Sequence, residues 1–154
     1  MTILPATRPD LPAILSLQSL AYQSEAILLQ NFSIPPLRQT LAELEAEFES
    51  RIILKAVENG EIIGSVRARQ ENGTAYIGKL IVHPAHQRKG IGTQLLYAIE
   101  QAAPASRYEL FTSNKSEKNI RLYERVGYHR FMEKQVSHDL SFVFLEKSIL
   151  ASNT

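Results

Sequence analysis

Leu80-Ile81-Val82-His83-Pro84-Ala85-His86-Gln87-Arg88-Lys89-Gly90-Ile91-Gly92 decides how this chain folds. Its first three residues end an apolar run that reads as a strand. The middle is too polar to continue that strand. From Gly90 the pattern changes to three- and four-residue steps, with Ile91, Leu95, Leu96, Ile99 and Ala102 on one helical face and Pro104 marking the end. Strand, polar loop and helix therefore follow in order. Two glycines at the helix start remove side chains from the approach path, so a ligand can sit on backbone N–H groups. The helix dipole favours phosphate there, and Arg88 and Lys89 add formal charge. The physics describes a diphosphate site. It is not a P-loop, and it lacks the third glycine of the dinucleotide fingerprint. A solvated loop leading into a helix satisfies the same residues.

Working backward, Thr74 to Val82 is a strand preceded by the turn Asn72-Gly73. Ile62 to Arg69 is a second strand. Asn59-Gly60 joins it to Ile52–Val57, which completes an antiparallel meander. Upstream, Thr2–Thr7 is extended, and Asp10 is expected as the N-cap of a helix running to about Tyr22. Gln23 to Pro36 shows no regular pattern. Leu37, Leu41, Leu44 and Phe48 then share one face of a further helix. Working forward, Tyr108–Thr112 is a strand, and Glu117–Arg125 is a helix ended by Gly127. Tyr128–Val136 and Leu140–Lys147 form a hairpin around Ser137-His138-Asp139. The strand to Val82, the helix from Gly90 and the strand from Tyr108 form one right-handed parallel βαβ unit. Helices and strands mix without strict alternation, which gives an α+β (mixed α/β) class. One domain is expected over 1–150, with 151–154 as a tail.

Composition narrows the function. In the 154 residues, 17 Lys and Arg nearly balance 16 Asp and Glu, for a net charge of +1. That argues against nucleic-acid binding through a broad basic surface. The 44% hydrophobic content suits a packed core. With no cysteine, disulfides, thiolate metal sites and a cysteine nucleophile are excluded. Four histidines without clustered spacing make no metal case. The N-terminal residues do not read as a signal peptide, and no stretch approaches the roughly 18 apolar residues of a membrane span. The expectation is a cytoplasmic protein with no membrane or nucleic-acid partner.

Two motifs together carry a resemblance to the GNAT superfamily of acyl-CoA-dependent N-acetyltransferases. Gln87-Arg88-Lys89-Gly90-Ile91-Gly92 matches its Gln/Arg-x-x-Gly-x-Gly/Ala. Leu80-Ile81-Val82-His83-Pro84 is similar to the family's lead-in strand, and Leu122-Tyr123-Glu124-Arg125-Val126-Gly127-Tyr128 resembles its Leu-Tyr-Glu-Lys-x-Gly-Phe/Tyr block. The resemblance runs from about Ile3 to Lys147. It implies a GNAT-like fold: a mixed, mostly antiparallel sheet of about seven strands, four flanking helices, and a V-shaped cleft for coenzyme A between strands 4 and 5. Acetyl-CoA is the implied co-substrate, with no metal. Leu80, Ile81 and Val82 would pair with the pantetheine arm through their backbone, and Gln87 to Gly92 with Thr93 would hold the diphosphate. Tyr123 would be the general acid to the coenzyme A thiolate. Where the family has Asn and Ala before this tyrosine, Ser116 and Asn119 stand here, so either is expected to contact pantetheine.

Many family members carry a Glu on the strand before the loop. Here that stretch is Tyr76-Ile77-Gly78-Lys79-Leu80, with no carboxylate. Glu25, Glu109, His138 and Asp139 are the other candidate bases. The acceptor side is expected to include Tyr22, Glu25, Phe32, His138 and Asp139. The acceptor itself is a small-molecule amine or a peptide or protein amine, and a homodimer fits the family. An acyl-CoA-binding sensor without transferase activity, and a nucleotide-phosphate-binding protein, are the competing readings.

Overall fold

A computed structural model describes residues 1–149. Its elements run β1 (Thr2–Pro5), α1 (Leu11–Ala21), α2 (Gln23–Leu29), α3 (Pro35–Arg38), α4 (Leu41–Phe48), β2 (Ile52–Glu58), β3 (Glu61–Glu71), β4 (Thr74–Val82), α5 (Ile91–Ala102), β5 (Arg107–Ser113), α6 (Glu117–Val126), β6 (His129–Ser137) and β7 (Leu140–Ser148). Seven strands form one sheet in the order β1-β2-β3-β4-β5-β7-β6. Among the described strands only β4 and β5 pair in parallel. This is the mixed, mostly antiparallel sheet expected from sequence.

The two Asn-Gly turns work as their chemistry requires. Asn59 and Gly60 have φ of 52° and 77°, and Asn72 and Gly73 have 51° and 81°. Both central residues are left-handed, as in the two-residue hairpin turns whose twist matches that of the flanking strands.

The helical arm before β2 departs from expectation. Asp10 holds the N-cap position of α1 as expected, but its side chain makes no capping hydrogen bond to that helix. Its backbone is already helical, and its carboxylate accepts from Thr7 N–H at 2.7 Å and Thr7 Oγ at 2.9 Å, closing a capping box at the start of the preceding 3₁₀ turn. Gln23–Leu29 is a helix and not irregular chain. Only Ala26 in it is buried, while Ile27 and Leu28 face outward, so no apolar stripe marked it. Its stop is Gln30 at φ 52°, where sequence rules look for glycine. The helix expected from Leu37 divides: Gln39 is extended, and Thr40 starts α4 anew. Glu43 N–H donates to Thr40 Oγ1 at 3.2 Å, and Thr40 N–H donates to Glu43 Oε1 at 2.8 Å. The described helices therefore exceed the four expected, because α2 and α3 are added within this arm.

The core lies in two parts. The larger packs α5 and α6 on one sheet face around Leu95, Leu96, Ile99, Tyr108 and Leu145. The smaller packs α1 and α4 on the other around Leu11, Ile14, Leu44 and Ile53. A buried carboxylate ties the first together. Glu100 accepts from Tyr128 Oη at 2.7 Å and Lys147 Nζ at 2.9 Å, while its carbonyl accepts from Tyr108 Oη at 2.8 Å. No described helix is long and apolar enough to cross a membrane.

Gly64 lets α5 approach β3. A Cβ there would meet Leu95 Cδ1 at 2.9 Å and the Ile81 carbonyl at 3.2 Å. Gly64→Val is expected to destabilise the fold by about 1–3 kcal/mol through overpacking. A urea midpoint equal to the parent's would show that α5 moves aside without cost.

Candidate functional site

β4 and β5 begin side by side and then part. Thr74, Ala75 and Tyr76 pair with Arg107, Tyr108 and Glu109. Among the described residues no pairing between the two strands continues beyond that. On its other edge β4 stays paired, with Ile81 against Ser65 and Val82 against Gly64. One backbone edge of Leu80, Ile81 and Val82 thus faces an opening with its hydrogen-bonding groups unused by β5. Such an edge accepts a further strand-like partner. The opening lies between strands 4 and 5, as expected.

The polar loop closes one end of this opening. Arg88 (φ 66°) and Gly90 (φ 76°) are both left-handed. Turns of this kind point successive N–H groups inward and favour anions. Gly90 is the N-cap of α5 and supplies no capping side chain. The first-turn N–H groups of a 12-residue helix are left for a ligand, beside exposed Arg88 and Lys89. Ile91 is buried in the core and anchors the turn, while Gly92 and Thr93 stay half-buried. Gln87 Oε1 accepts from Lys118 Nζ at 3.1 Å, linking the loop to α6. These features fit a diphosphate joined to a strand-like arm.

The residues expected around the reacting centre are brought together from distant parts of the chain. Tyr123 lies on α6, 7% exposed, with its ring centroid 6.3 Å from that of Tyr128. Burial pushes its phenol well above the ordinary tyrosine range, and Tyr22 and Glu25 push it further. The Tyr22 phenol is likewise raised to about 12 by burial and by Glu25, against a lowering from Arg67. Ser116 Oγ, buried before α6, lies 2.8 and 2.9 Å from the two Glu25 carboxylate oxygens. This contact joins α2 to the β5–α6 turn across the open end of the sheet. Asn119 Nδ2 donates to Thr112 Oγ1 at 3.4 Å, and its amide oxygen is free of protein partners among the described residues.

Other expected residues stand apart. Asp139 is exposed and paired with Lys115 Nζ at 3.1 Å, which holds its carboxyl below the usual range. His138 shares that hairpin tip, where its carbonyl accepts from Gln135. Glu109 is paired with Arg107 at 2.8 Å. Phe32 is 61% exposed beyond α2. Of the candidate bases, Glu25 is the one held near Tyr123. No group of three or more metal-ligating side chains is found among the described residues.

Sequence reasoning missed Arg67. Its guanidinium is buried on β3, donating to Gln39 Oε1 and Glu47 Oε1 at 3.1 Å each and to Gln18 Oε1. The available signal was alternation: Ser65, Arg67 and Arg69 share the face opposite Val66 and Ala68.

Comparison with known proteins bears on this geometry. The model of the Acetyltransferase (GNAT) family matches residues 12–128. The chain belongs to the GNAT acetyltransferase family. This GNAT chain is 29% identical over 118 residues to the UPF0157 protein YqkA of Bacillus subtilis, covering 76% of this chain and spanning only 34% of that relative. The structure of YncA, a putative acetyltransferase from Salmonella typhimurium with its cofactor acetyl-CoA, aligns at TM-score 0.78 and 21% identity, over 100% of this chain and 96% of that one. The PaiA N-acetyltransferase of Thermoplasma acidophilum, in complex with coenzyme A, aligns at TM-score 0.80 and 16% identity, over 97% and 100%. At these identities the structural likeness establishes the GNAT fold.

Proposed function

We propose that this protein is an N-acetyltransferase that transfers an acetyl group from acetyl-CoA directly to a primary amine held with it in one complex. The observation that carries this reading is the opening between β4 and β5, with a free strand edge along one side and a glycine-rich helix start at its end. Acetyl-CoA supplies the thioester carbonyl and a thiolate leaving group. The backbone of Leu80 to Val82 pairs with the pantetheine arm, and the Gln87–Thr93 segment receives the diphosphate. Asn119 is the better placed of the two candidate pantetheine contacts, because the Ser116 hydroxyl is already engaged by Glu25.

Glu25 then serves as the base, directly or through a water, when the amine nitrogen bonds to the carbonyl carbon. N–H groups near Ile81 and Val82 stabilise the oxygen as charge develops on it. The C–S bond breaks, and the Tyr123 phenol donates toward the departing sulfur. With no cysteine in the chain, no acetyl-cysteine stage intervenes. The protein acts without a metal.

The test is release of coenzyme A thiol from acetyl-CoA across a broad amine panel, alongside calorimetric binding. Release is expected. Gly90→Val, forced into a left-handed backbone and narrowing the diphosphate approach, is expected to weaken acetyl-CoA binding by about tenfold or more. Acetyl-CoA binding without release for any amine would instead favour an acyl-CoA sensor, a reading motivated by the missing carboxylate on β4. Preference for ATP over coenzyme A would overturn the acetyl-CoA reading.

A further inference from the structure

Lys79 sits where β4 bends away from β5. The β3–β4 register passes from Ser65↔Ile81 to Arg67↔Gly78, so Lys79 and Leu80 together oppose Val66. Lys79 itself has φ 51°. A lysine in the left-handed region carries a backbone cost, and such residues concentrate at functional sites. The bulge re-aims this side chain at the level of the opening.

Its surroundings are unusual for a lysine. Lys55 is paired with Asp10 at 2.7 Å, Lys115 with Asp139 at 3.1 Å and Lys147 with Glu100 at 2.9 Å. Lys79 is half-buried, yet among the described residues no hydrogen bond or ion pair engages its ammonium. Cations withdrawn from water are ordinarily paired. The charges that act on it are Arg67, Glu47 and Arg51. Of these Glu47, the sole acid, already accepts from Arg67 and Gln39. Arg67 Nε is itself buried, with no hydrogen-bond partner among the described residues. Burial pulls the Lys79 ammonium below its ordinary range, and Arg67 adds to the fall. A bound anion would relieve both effects.

The side of the sheet matters equally. Arg67 and Glu47 lie with α1 and α4, on the face opposite α5 and its glycine-rich start. Tyr22, within electrostatic reach of both Arg67 and Glu25, belongs to the same side. A co-substrate whose diphosphate is held at the α5 end leaves this face for the acceptor. Along it a carboxylate, Glu25, and an unpaired cation, Lys79, stand at separate places.

Resting on the transferase reading above, we propose that Lys79, backed by Arg67, receives an acidic group on the acceptor, so that the amine acetylated also carries a carboxylate or a phosphate. Glu25 takes the amine end and Lys79 the acidic end. A polyamine with no acid would meet the unpaired cation and be disfavoured.

Coenzyme A release measured on matched pairs tests this: amino acids against their carboxamides, and aminoalkyl phosphonates against the corresponding amino alcohols. In one series the acidic member is expected to exceed its neutral twin by about 10–100-fold in kcat/KM, the range for a charge-assisted contact. That series names the acidic group. Lys79→Met should reduce the ratio to within about threefold, and Lys79→Arg should retain most of it. If the Met variant lacks a cooperative thermal transition, Lys79→Gln replaces it. Neutral twins equal to or better than acidic ones, or a preference that survives loss of the cation, would overturn the proposal while leaving the transferase standing. No release with any amine would overturn the transferase and this acceptor class together.

Discussion

Tyr123→Phe lowers turnover by about 10–10⁴-fold, the upper part of that span being usual for a positioned proton donor. Acetyl-CoA affinity is expected to change little, because the phenol acts on the sulfur as it leaves and not on the bound thioester. The substitution separates two roles of this side chain. As a ring, Tyr123 is a core residue against Ile120, Val126 and Tyr128, and phenylalanine fills the same space. As a hydroxyl, it is the donor. Burial keeps the phenol protonated throughout the physiological range, so it is always available to donate. A thiol of ordinary acidity, about 8.5, yields a weaker base than a tyrosinate, so the hydrogen bond tightens as the C–S bond breaks and does not deliver the proton beforehand. The experiment measures kcat and KM for thiol release with the best acceptor, and the dissociation constant for acetyl-CoA by calorimetry. Unchanged kcat across the amine panel would leave Tyr123 with packing alone.

Arg67→Ala is expected to cost about 3 kcal/mol or more, as when one partner leaves a buried ion pair. The guanidinium joins two helices and the link before the second to the sheet: Gln18 on α1, Gln39 between α3 and α4, and Glu47 on α4. Gln18 also donates to the Pro36 carbonyl at 2.9 Å. Its removal strands the Glu47 carboxylate and two amides with too few donors. Glu47 keeps 25% side-chain exposure, so water relieves part of the penalty, which places the effect near the lower end for such pairs. At about 2–4 °C per kcal/mol for a chain of this length, the melting temperature should fall by roughly 6–12 °C. Turnover should fall below that temperature too, because the same arm holds Tyr22 and Glu25. Replacing the pair together, Arg67→Met with Glu47→Leu, should restore much of the stability, since apolar groups leave nothing unpaired. A melting temperature within about 2 °C of the parent for Arg67→Ala would show that the cluster is solvated and not structural.

Legibility followed range in the chain. The Asn-Gly turns, the strand–loop–helix around Gly90 and the Gly127 stop are local, and each was readable where it stands. Periodicity failed in the arm from Gln23 to Gln39, because α2 buries only Ala26 and ends at Gln30 without a glycine. A short helix that faces an opening instead of a core shows no stripe. The Thr40–Glu43 box stands in the sequence, and it divides the helix expected from Leu37 by starting α4 anew.

By itself the sequence determined the order of the seven strands, the parallel βαβ unit and the glycine-marked start of α5, because hydrophobic period, turn chemistry and missing side chains are properties of neighbours in the chain. Tertiary structure alone decided which acid stands by Tyr123. Glu25 and Ser116 are 91 residues apart, and only the packing of α2 over the open end of the sheet brings them together. Tertiary structure also decided that Arg67 is buried and that Lys79 has no partner among the described residues. Burial and pairing depend on what the rest of the chain lays over a residue, and no local spacing records that.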